Sequence, residues 1–182
     1  INSIYKPIKG ERPLWDFPDG NLASREVATY LVSEALNLNC VPLTIMREGP
    51  FGLGSIQHWI DDVDEFDERY LEELPGLRKI ALLDAVVNNT DRKIGHLLFK
   101  DDQVYGCDHG VTFHEEYKLR TVLWQFADKE LTEDELSSLA EFDLDLNEYL
   151  TVSEIAALNL RIQELLTQKR FPLPPTDWPA IP

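Results

Sequence analysis

Hydrophobic and polar residues alternate at the start of the chain and then change to a helical spacing. The alternation over 3–8 predicts a strand. Apolar residues recur at near-3.6 spacing from Asn21 onward, which predicts a helix that is capped by Asn21 or Ser24. Two further apolar runs, 41–47 and 55–60, flank a turn rich in glycine and proline, which favours a hairpin. The first sixty residues therefore predict a strand, a helix and a hairpin.

The remainder of the chain is predicted to be mainly helical, apart from one short hairpin. An apolar run at 77–87 predicts a buried helix, and strands at 97–100 and 103–107 predict the hairpin. Three more helices are predicted at 119–127, 133–142 and 152–169, and the last two begin with sequences typical of capping boxes. The last twelve residues contain five prolines, which favours an extended strap or a loose tail.

Charge and composition narrow the possible partners. The formal net charge of −16 at pH 7 argues against nucleic acid or an anionic membrane as the main partner. No apolar run approaches the roughly 20 residues of a membrane-spanning helix, so we expect no membrane span. Much of the negative charge lies at 61–69, which we interpret as a solvated surface connection. Cys40 and Cys107 match no metal-site spacing, so we expect a cytoplasmic protein with reduced cysteines.

Four charged residues occur in an order that suits phosphoryl transfer. That reaction needs a lysine on the phosphates, an acid that holds the lysine, an acid near the attacking hydroxyl and an acid on the metal. The chain has Lys6 on its first strand and Glu26 on the helix that follows. Asp91 then follows the apolar helix, and Asp108 follows the second hairpin. This order predicts an ATP-dependent phosphotransferase.

The residues around these four positions resemble a known family, the atypical kinases of the phosphatidylinositol 3-/4-kinase-like and HipA-like group. The resemblance is strongest to an uncharacterised actinobacterial, lipid-kinase-like branch and extends over 1–127. It is carried by four segments: Tyr5-Lys6-Pro7, 24–32, 84–96 with its Asn-Thr-Asp-Arg, and Cys107-Asp108-His109-Gly110. The resemblance implies an α+β, protein-kinase-like fold with a reduced N-terminal lobe at 1–60 and a mainly helical C-terminal lobe at 61–182.

The resemblance also implies roles for individual residues, with ATP and Mg²⁺ or Mn²⁺ as cofactors. Lys6 would pair with the α- and β-phosphates, and Glu26 would hold its ammonium group. Backbone groups around Trp59 and Ile60 would receive the adenine at the hinge. Asp91 matches the catalytic aspartate of the family.

The remaining roles concern the metal and the loop around it. Arg92 is expected to orient the neighbouring catalytic aspartate through charge-assisted hydrogen bonds. Asp108 matches the metal-binding aspartate, and His96 stands where the family has a metal-binding asparagine. Imidazole is a poor ligand for Mg²⁺, so Asn88 or Asn89 is expected to compensate if His96 does not bind the metal. Only five residues precede Lys6, where the family has a phosphate-covering turn. We therefore expect either a fragment whose natural N-terminus lies upstream or a stripped-down upper lobe.

The acceptor of the phosphate is a hydroxyl of unknown origin. No basic patch or basic amphipathic helix is present for a lipid headgroup, so a protein or a small metabolite is the better expectation. Three alternatives remain open. They are a pseudokinase or nucleotide-binding regulatory module, an AMP-transferase on the same scaffold, and a structural interaction domain. The oligomeric state is not predicted.

Overall fold

The computed structural model describes residues 2–65 and 76–182. These residues contain two small antiparallel sheets and four α-helices. The fold class is therefore α+β, as predicted. In chain order the elements are β1 (Ser3–Pro7), α1 (Leu22–Ala35), β2 (Thr44–Gly49), β3 (Gly52–His58), α2 (Leu77–Val87), β4 (Leu97–Lys100), β5 (Gln103–Gly106), α3 (Glu133–Ala140) and α4 (Val152–Gln168). Of the predicted acidic connection, 61–65 is exposed and 66–69 lies outside the described residues.

The first sheet packs one face against helix α1, mainly through β2 and β3. Its strand order is β1-β3-β2, and β1 pairs with β3 so that Lys6 lies opposite Ser55. Because side chains alternate along a strand, Ile4 and Lys6 share a face. On β3 the side chains of Ser55 and Gln57 are buried, and α1 packs against both β2 and β3. The sheet therefore directs Lys6 toward the helix that follows it in the chain.

Helix α2 is the centre of the hydrophobic core. Its bounds are those predicted from the apolar run, and Leu77, Ile80 and Leu83 are completely buried. The helix packs against α1, α4 and β5. Because the helix is buried on several sides, its residues are apolar on nearly every face. The loop that follows α2 is therefore anchored at the centre of the molecule.

The predicted helix caps are confirmed. Asn21 accepts a hydrogen bond from the backbone N–H of Ser24 at 2.7 Å, so Asn21 caps α1. Thr132 and Thr151 each form a complete capping box at the start of α3 and α4. These side chains satisfy backbone donors that the first helical turn leaves without partners. No helix within 2–65 or 76–182 is long and apolar enough to cross a membrane.

The predicted helix at 119–127 is wrong. Only Trp124–Phe126 forms a short 3₁₀ turn, and the residues before it are not helical. The backbone N–H of Arg120 donates to the carbonyl of Asn89 at 2.9 Å, and that of Val122 donates to Arg92 at 3.1 Å. Hydrogen bonds to the loop after α2 thus replace those of a helix, and tertiary contacts override the helical periodicity.

The C-terminal residues form an extended strap, which was one of the two predicted alternatives. The carbonyl of Ala180 accepts from the backbone N–H of Thr121 at 3.1 Å and from the indole N–H of Trp124 at 2.6 Å. The carbonyl of Leu173 accepts from the hydroxyl of Tyr117 at 2.7 Å. The strap therefore lies against the segment that replaces the expected helix.

Candidate functional site

Lys6, Glu26 and Asp108 meet where β1, α1 and the loop after β5 come together. The ammonium Nζ of Lys6 lies 2.5 Å from Oε1 of Glu26 and 3.1 Å from Oδ1 of Asp108. Glu26 is 2% exposed, and its second oxygen, Oε2, is buried with no hydrogen-bond partner in the described part of the chain. The structure thus brings together three of the four residues that the charge order singled out.

Lys6 and Asp108 of this ion triad shift each other's pKa. Burial lowers the pKa of Lys6, but the carboxylates of Glu26 and Asp108 outweigh burial and raise the pKa above its ordinary value. Partial burial raises the pKa of Asp108, but the charge and hydrogen bond of Lys6 outweigh it and lower the pKa below its ordinary value. Both groups are therefore charged at neutral pH. The side chain of Asp108 is 57% exposed, so a ligand can reach it.

A sharp turn in the backbone aims Asp108 at Lys6. Asp108 has a φ of +60°, in the left-handed region that aspartate tolerates better than most residues. Gly110 allows a close approach between the loop and α1, because a Cβ at this position would lie 3.1 Å from Cβ of Leu22. The glycine lets the first turn of α1 approach the loop, which places Glu26 of that helix near the same point.

Arg92 is completely buried and binds Asp84 of α2. Its Nη2 lies 2.9 Å from Oδ1 of Asp84, and its Nε lies 2.9 Å from Oδ2. Nη1 donates to the carbonyls of Cys107 at 3.0 Å and His96 at 3.2 Å. The predicted bond from Arg92 to Asp91 is therefore corrected: the guanidinium points into the core and joins α2 to the loops on both sides of the second hairpin.

Asp91 points the other way, toward the surface of the same loop. Its Oδ2 lies 2.8 Å from the ammonium of Lys93, and its side chain is 28% exposed. Its backbone N–H donates to Oδ1 of Asn89 at 3.0 Å, which fixes the backbone at this position. The carboxylates of Asp91 and Asp108 both act on the charge of His96, so both acids lie near that ring.

The side chains of Asn88 and Asn89 hold the loop together. Both are completely buried. Nδ2 of Asn89 donates to Oδ1 of Asp84 at 2.9 Å, while its Oδ1 accepts from the backbone of Asp91. Nδ2 of Asn88 donates to the carbonyl of His114 at 2.9 Å, and its Oδ1 accepts from the backbone of Lys118. Both ends of the Asn89 amide are thus engaged inside the protein, and its role as a metal ligand stays a prediction.

His96 lies beside Asp108, at the position where the sequence suggested a metal ligand. Its Nε2 is 3.5 Å from Oδ2 of Asp108, and its Nδ1 is buried with no partner among the described residues. Burial lowers the pKa of the ring more than the charge of Asp108 raises it, so the neutral form is favoured. Within 2–65 and 76–182, no group of three or more histidine, cysteine or acidic residues could hold a metal ion. A metal at Asp108 would need further oxygen ligands from a bound substrate.

Trp59 and Ile60 lie at the end of β3, beside an open hollow of about 400 Å³. Trp59 and Ile4 line this hollow, and the indole of Trp59 is 51% exposed. The backbone N–H of Trp59 donates to the carbonyl of Asn2 at 3.0 Å, so it is already engaged. Ile60 is half-buried. Because Ile4 shares a face of β1 with Lys6, the hollow and the ion triad lie along the same strand.

Three residues of this site were missed by the sequence reasoning. Asp84 pairs with Arg92, and it is the single acidic residue in the apolar run of α2, which is the signal that could have revealed it. His109 is completely buried with Nε2 at 2.6 Å from Nη2 of Arg92, and burial keeps its pKa well below the ordinary value. A Cβ on Gly106 would lie 3.1 Å from the same guanidinium nitrogen, so glycine leaves room for Arg92.

Comparison with known proteins gives a match over the whole chain. The chain is 40% identical to a protein called Protein Rv2133c from Mycobacterium tuberculosis. The match covers all of this chain and 83% of that protein. No protein-family model matches the chain.

Proposed function

We propose that this chain, which belongs to the same family as Protein Rv2133c, is an ATP-dependent phosphotransferase with an atypical, kinase-like fold. One observation carries the proposal: the ammonium of Lys6 is shared between the buried carboxylate of Glu26 and the exposed carboxylate of Asp108. A lysine held by a buried acid, next to an acid that solvent can reach, suits the binding of phosphates together with a metal ion.

The groups around the triad fit a nucleotide with its metal. Lys6 offers a positive charge to the phosphates while Glu26 keeps it in place. Asp108 offers carboxylate oxygen to Mg²⁺, which proteins usually bind through one or two carboxylates plus substrate phosphates. The hollow beside Ile4 and Trp59 offers exposed apolar surface for the base. The bound metal supplies electrostatic stabilisation of the phosphates, and the protein positions them.

Asp91 is the proposed acid–base residue. Its side chain is partly exposed, and its backbone is fixed by Asn89, so the carboxylate can accept a proton from an acceptor hydroxyl. Lys93 neutralises the carboxylate in the absence of a substrate. The proposed acceptor is a protein or a small metabolite, and the proposed setting is the cytoplasm, where ATP is available.

A nucleotide-binding regulatory module that transfers nothing is the second candidate. It is favoured by Asn89, whose amide is engaged inside the loop and leaves the metal with fewer oxygen ligands than the kinase pattern supplies. Transfer of AMP in place of phosphate is a further outcome that the experiment below distinguishes.

The test is mass spectrometry of the chain incubated with a candidate acceptor, Mg²⁺ or Mn²⁺, and ATP labelled at either the α- or the γ-phosphate. We expect transfer of the γ-label. Asp91→Asn should lower transfer by roughly 10²- to 10⁴-fold without loss of nucleotide binding, because it removes only acid–base assistance. Asp108→Asn should weaken nucleotide binding itself, measured as a smaller rise in melting temperature with ATP and metal.

Asp102→Asn is the matched control, since this exposed aspartate lies in the turn between β4 and β5. It should leave both transfer and the melting shift unchanged. Transfer of the α-label would show that the chain transfers AMP and not phosphate. A melting shift without any transfer would favour the regulatory module, and no shift and no transfer would end the nucleotide proposal altogether.

A further inference from the structure

Arg161 of α4 is a buried cation with no ion-pair partner among the residues that the structure describes. It is 8% exposed, and no carboxylate oxygen in the described segments lies within 4.0 Å of its guanidinium. Nε donates to the carbonyl of Val86 at 2.9 Å, and Nη1 donates to that of His114 at 3.1 Å. Nη2 has no acceptor within 2–65 and 76–182. Arginine is rarely buried to this extent unless it is paired, so its charge calls for a partner.

The same residue forms part of the wall of a cavity of about 340 Å³. The rest of the wall is largely apolar and comes from α2, α4 and the start of the C-terminal strap, with Ala85, Leu165, Phe171 and Leu173 among its residues. None of the candidate phosphotransfer residues lines it. A largely apolar cavity of this size with a single buried cation is typical of a small-molecule site.

We propose that this cavity, between α2, α4 and the strap, binds a small monocarboxylate whose apolar body lies against Leu165 and Phe171 and whose carboxylate pairs with Arg161. The carboxylate would supply a negative charge within pairing distance of the guanidinium, which no described residue supplies. Burial lowers the pKa of Arg161 to about 10, and the charges of Glu164 and Glu154 only partly oppose this. A carboxylate against the guanidinium would raise that pKa again.

The charges near the cavity favour one negative charge over two. Arg170 also lines it, but this arginine is already paired with Asp128 and Glu130. Asp128 and Glu164 are part of the wall and would repel a dianionic phosphate. One cation without a paired carboxylate among the described residues therefore matches one carboxylate.

Arg161 connects this cavity to the loop that carries Asp91. Val86, whose carbonyl it holds, lies in the last turn of α2, directly before the loop. The carbonyl of His114, which it also holds, accepts a second hydrogen bond from Nδ2 of Asn88. A ligand that pairs with Arg161 would thus affect the loop through the hydrogen bonds of Arg161 to Val86 and His114. The binding site itself stands whether or not the chain transfers phosphate.

The test is titration calorimetry of the whole chain with hexanoate and benzoate, and with hexanol and benzyl alcohol as uncharged analogues. We expect saturable one-to-one binding of at least one carboxylate, with its alcohol at least about tenfold weaker, because a hydrogen-bonded charge is lost. Arg161→Gln should weaken carboxylate binding to the same degree. Leu173→Ser, which removes exposed apolar wall, should weaken it a few-fold.

Leu160→Ser is the matched control, since Leu160 is 65% exposed against 63% for Leu173 and does not line the cavity. It should bind as the wild type does. If Arg161→Gln does not fold, two other comparisons still test carboxylate binding in the cavity. One is acid against alcohol, and the other is Leu173→Ser against Leu160→Ser. No saturable binding of either carboxylate, equal binding of the alcohols, or equal binding by the two leucine variants would overturn the proposal.

Discussion

Asp84 and Arg92 form an ion pair whose two side chains are both within 1% of complete burial. Removing one partner leaves an uncompensated charge in the core, which usually costs about 3–5 kcal/mol. We therefore expect Asp84→Ala to lower the free energy of unfolding by that amount, measured by urea denaturation. The double variant Asp84→Ala with Arg92→Met should be less destabilised than the sum of the two changes, because no buried charge remains.

The matched control for the Asp84 prediction is Glu130, whose pair with Arg170 is exposed. Glu130→Gln should change the free energy of unfolding by less than about 1 kcal/mol, as is usual for surface pairs. If Asp84→Ala cost no more than Glu130→Gln, the pair would not hold the loop as we infer.

His96 lies close enough to Asp108 to share a metal with it, given the 3.5 Å between Nε2 and Oδ2. Imidazole nitrogen suits Mn²⁺ better than Mg²⁺, which prefers oxygen. If the chain transfers phosphate, His96→Asn should therefore shift the ratio of rates with Mn²⁺ and Mg²⁺ several-fold toward Mg²⁺. His58→Asn, at the exposed end of β3, should leave the ratio unchanged. The same ratio in both variants would rule out His96 as a ligand.

The order of charged residues singled out four side chains, of which three meet in the structure, but it did not predict their directions. Lys6, Glu26 and Asp108 do lie together. Arg92 was expected beside Asp91 because the two are neighbours in sequence. In the structure Arg92 turns into the core toward Asp84, eight residues back, while Asp91 pairs with Lys93. Neighbours in a loop can point to opposite sides, and only the packing around the loop decides which one is buried.

Helices α2 and α3 are joined by an ion pair that also completes a cap. Nε and Nη2 of Arg78 each lie 2.7 Å from an oxygen of Glu135, which is the capping-box residue of α3. Burial raises the pKa of Glu135, but the hydrogen bonds from Arg78 and the backbone of Thr132 outweigh it and lower the pKa below its ordinary 4.5. The stabilisation is therefore fully present above that value and lost as the pH falls below it.

We expect Glu135→Gln to lower the free energy of unfolding by about 1–2 kcal/mol at neutral pH, since it weakens both the pair and the cap. The difference from the wild type should shrink progressively below the ordinary pKa of the carboxyl group, because the wild type then loses the same charge. Denaturation curves at a series of pH values would measure it, with Glu133→Gln, in the same helical turn, as the control. A difference that does not depend on pH would contradict this account.

At the scale of elements, apolar runs and capping sequences were enough wherever a segment makes its own helical hydrogen bonds. The bounds of α2 were predicted as they stand, and both capping boxes were recognised. The predicted helix at 119–127 failed because its backbone bonds to residues some thirty positions earlier, as in the bond from Arg120 to Asn89. Such long-range pairing leaves no periodic signal in the segment itself.

Across the whole molecule, the loop that carries Asp91 is supported in two layers. The segment at 117–124 bonds to the loop directly, with the backbone N–H of Arg92 donating to the carbonyl of Arg120 at 3.0 Å. The strap then bonds to that segment through the carbonyls of Ala180 and Ile181. Residues at the end of the chain therefore hold a loop that lies near its middle.

Ending the chain at Pro175 would remove the outer layer only. Donors on Thr121, Arg120 and Trp124 would each lose the acceptor of a hydrogen bond. The ammonium of Lys118 would also lose its cation–π contact with Trp178, whose ring centroid lies 4.8 Å away. At roughly 0.5–1.5 kcal/mol for each of these four contacts, we expect a loss of about 2–6 kcal/mol in the free energy of unfolding.

Hydrogen exchange would show whether this support reaches the loop. In the shortened chain the amide of Thr121 should exchange much faster because its acceptor is gone, and the amide of Arg92 should follow because the carbonyl of Arg120 is no longer held in place. The amide of Ile56, in the middle of β3 and away from the strap, is the internal control and should keep its protection relative to global unfolding. Faster exchange at Thr121 with unchanged exchange at Arg92 would mean that the strap stabilises its neighbour without supporting the loop, and the two-layer account would then be wrong.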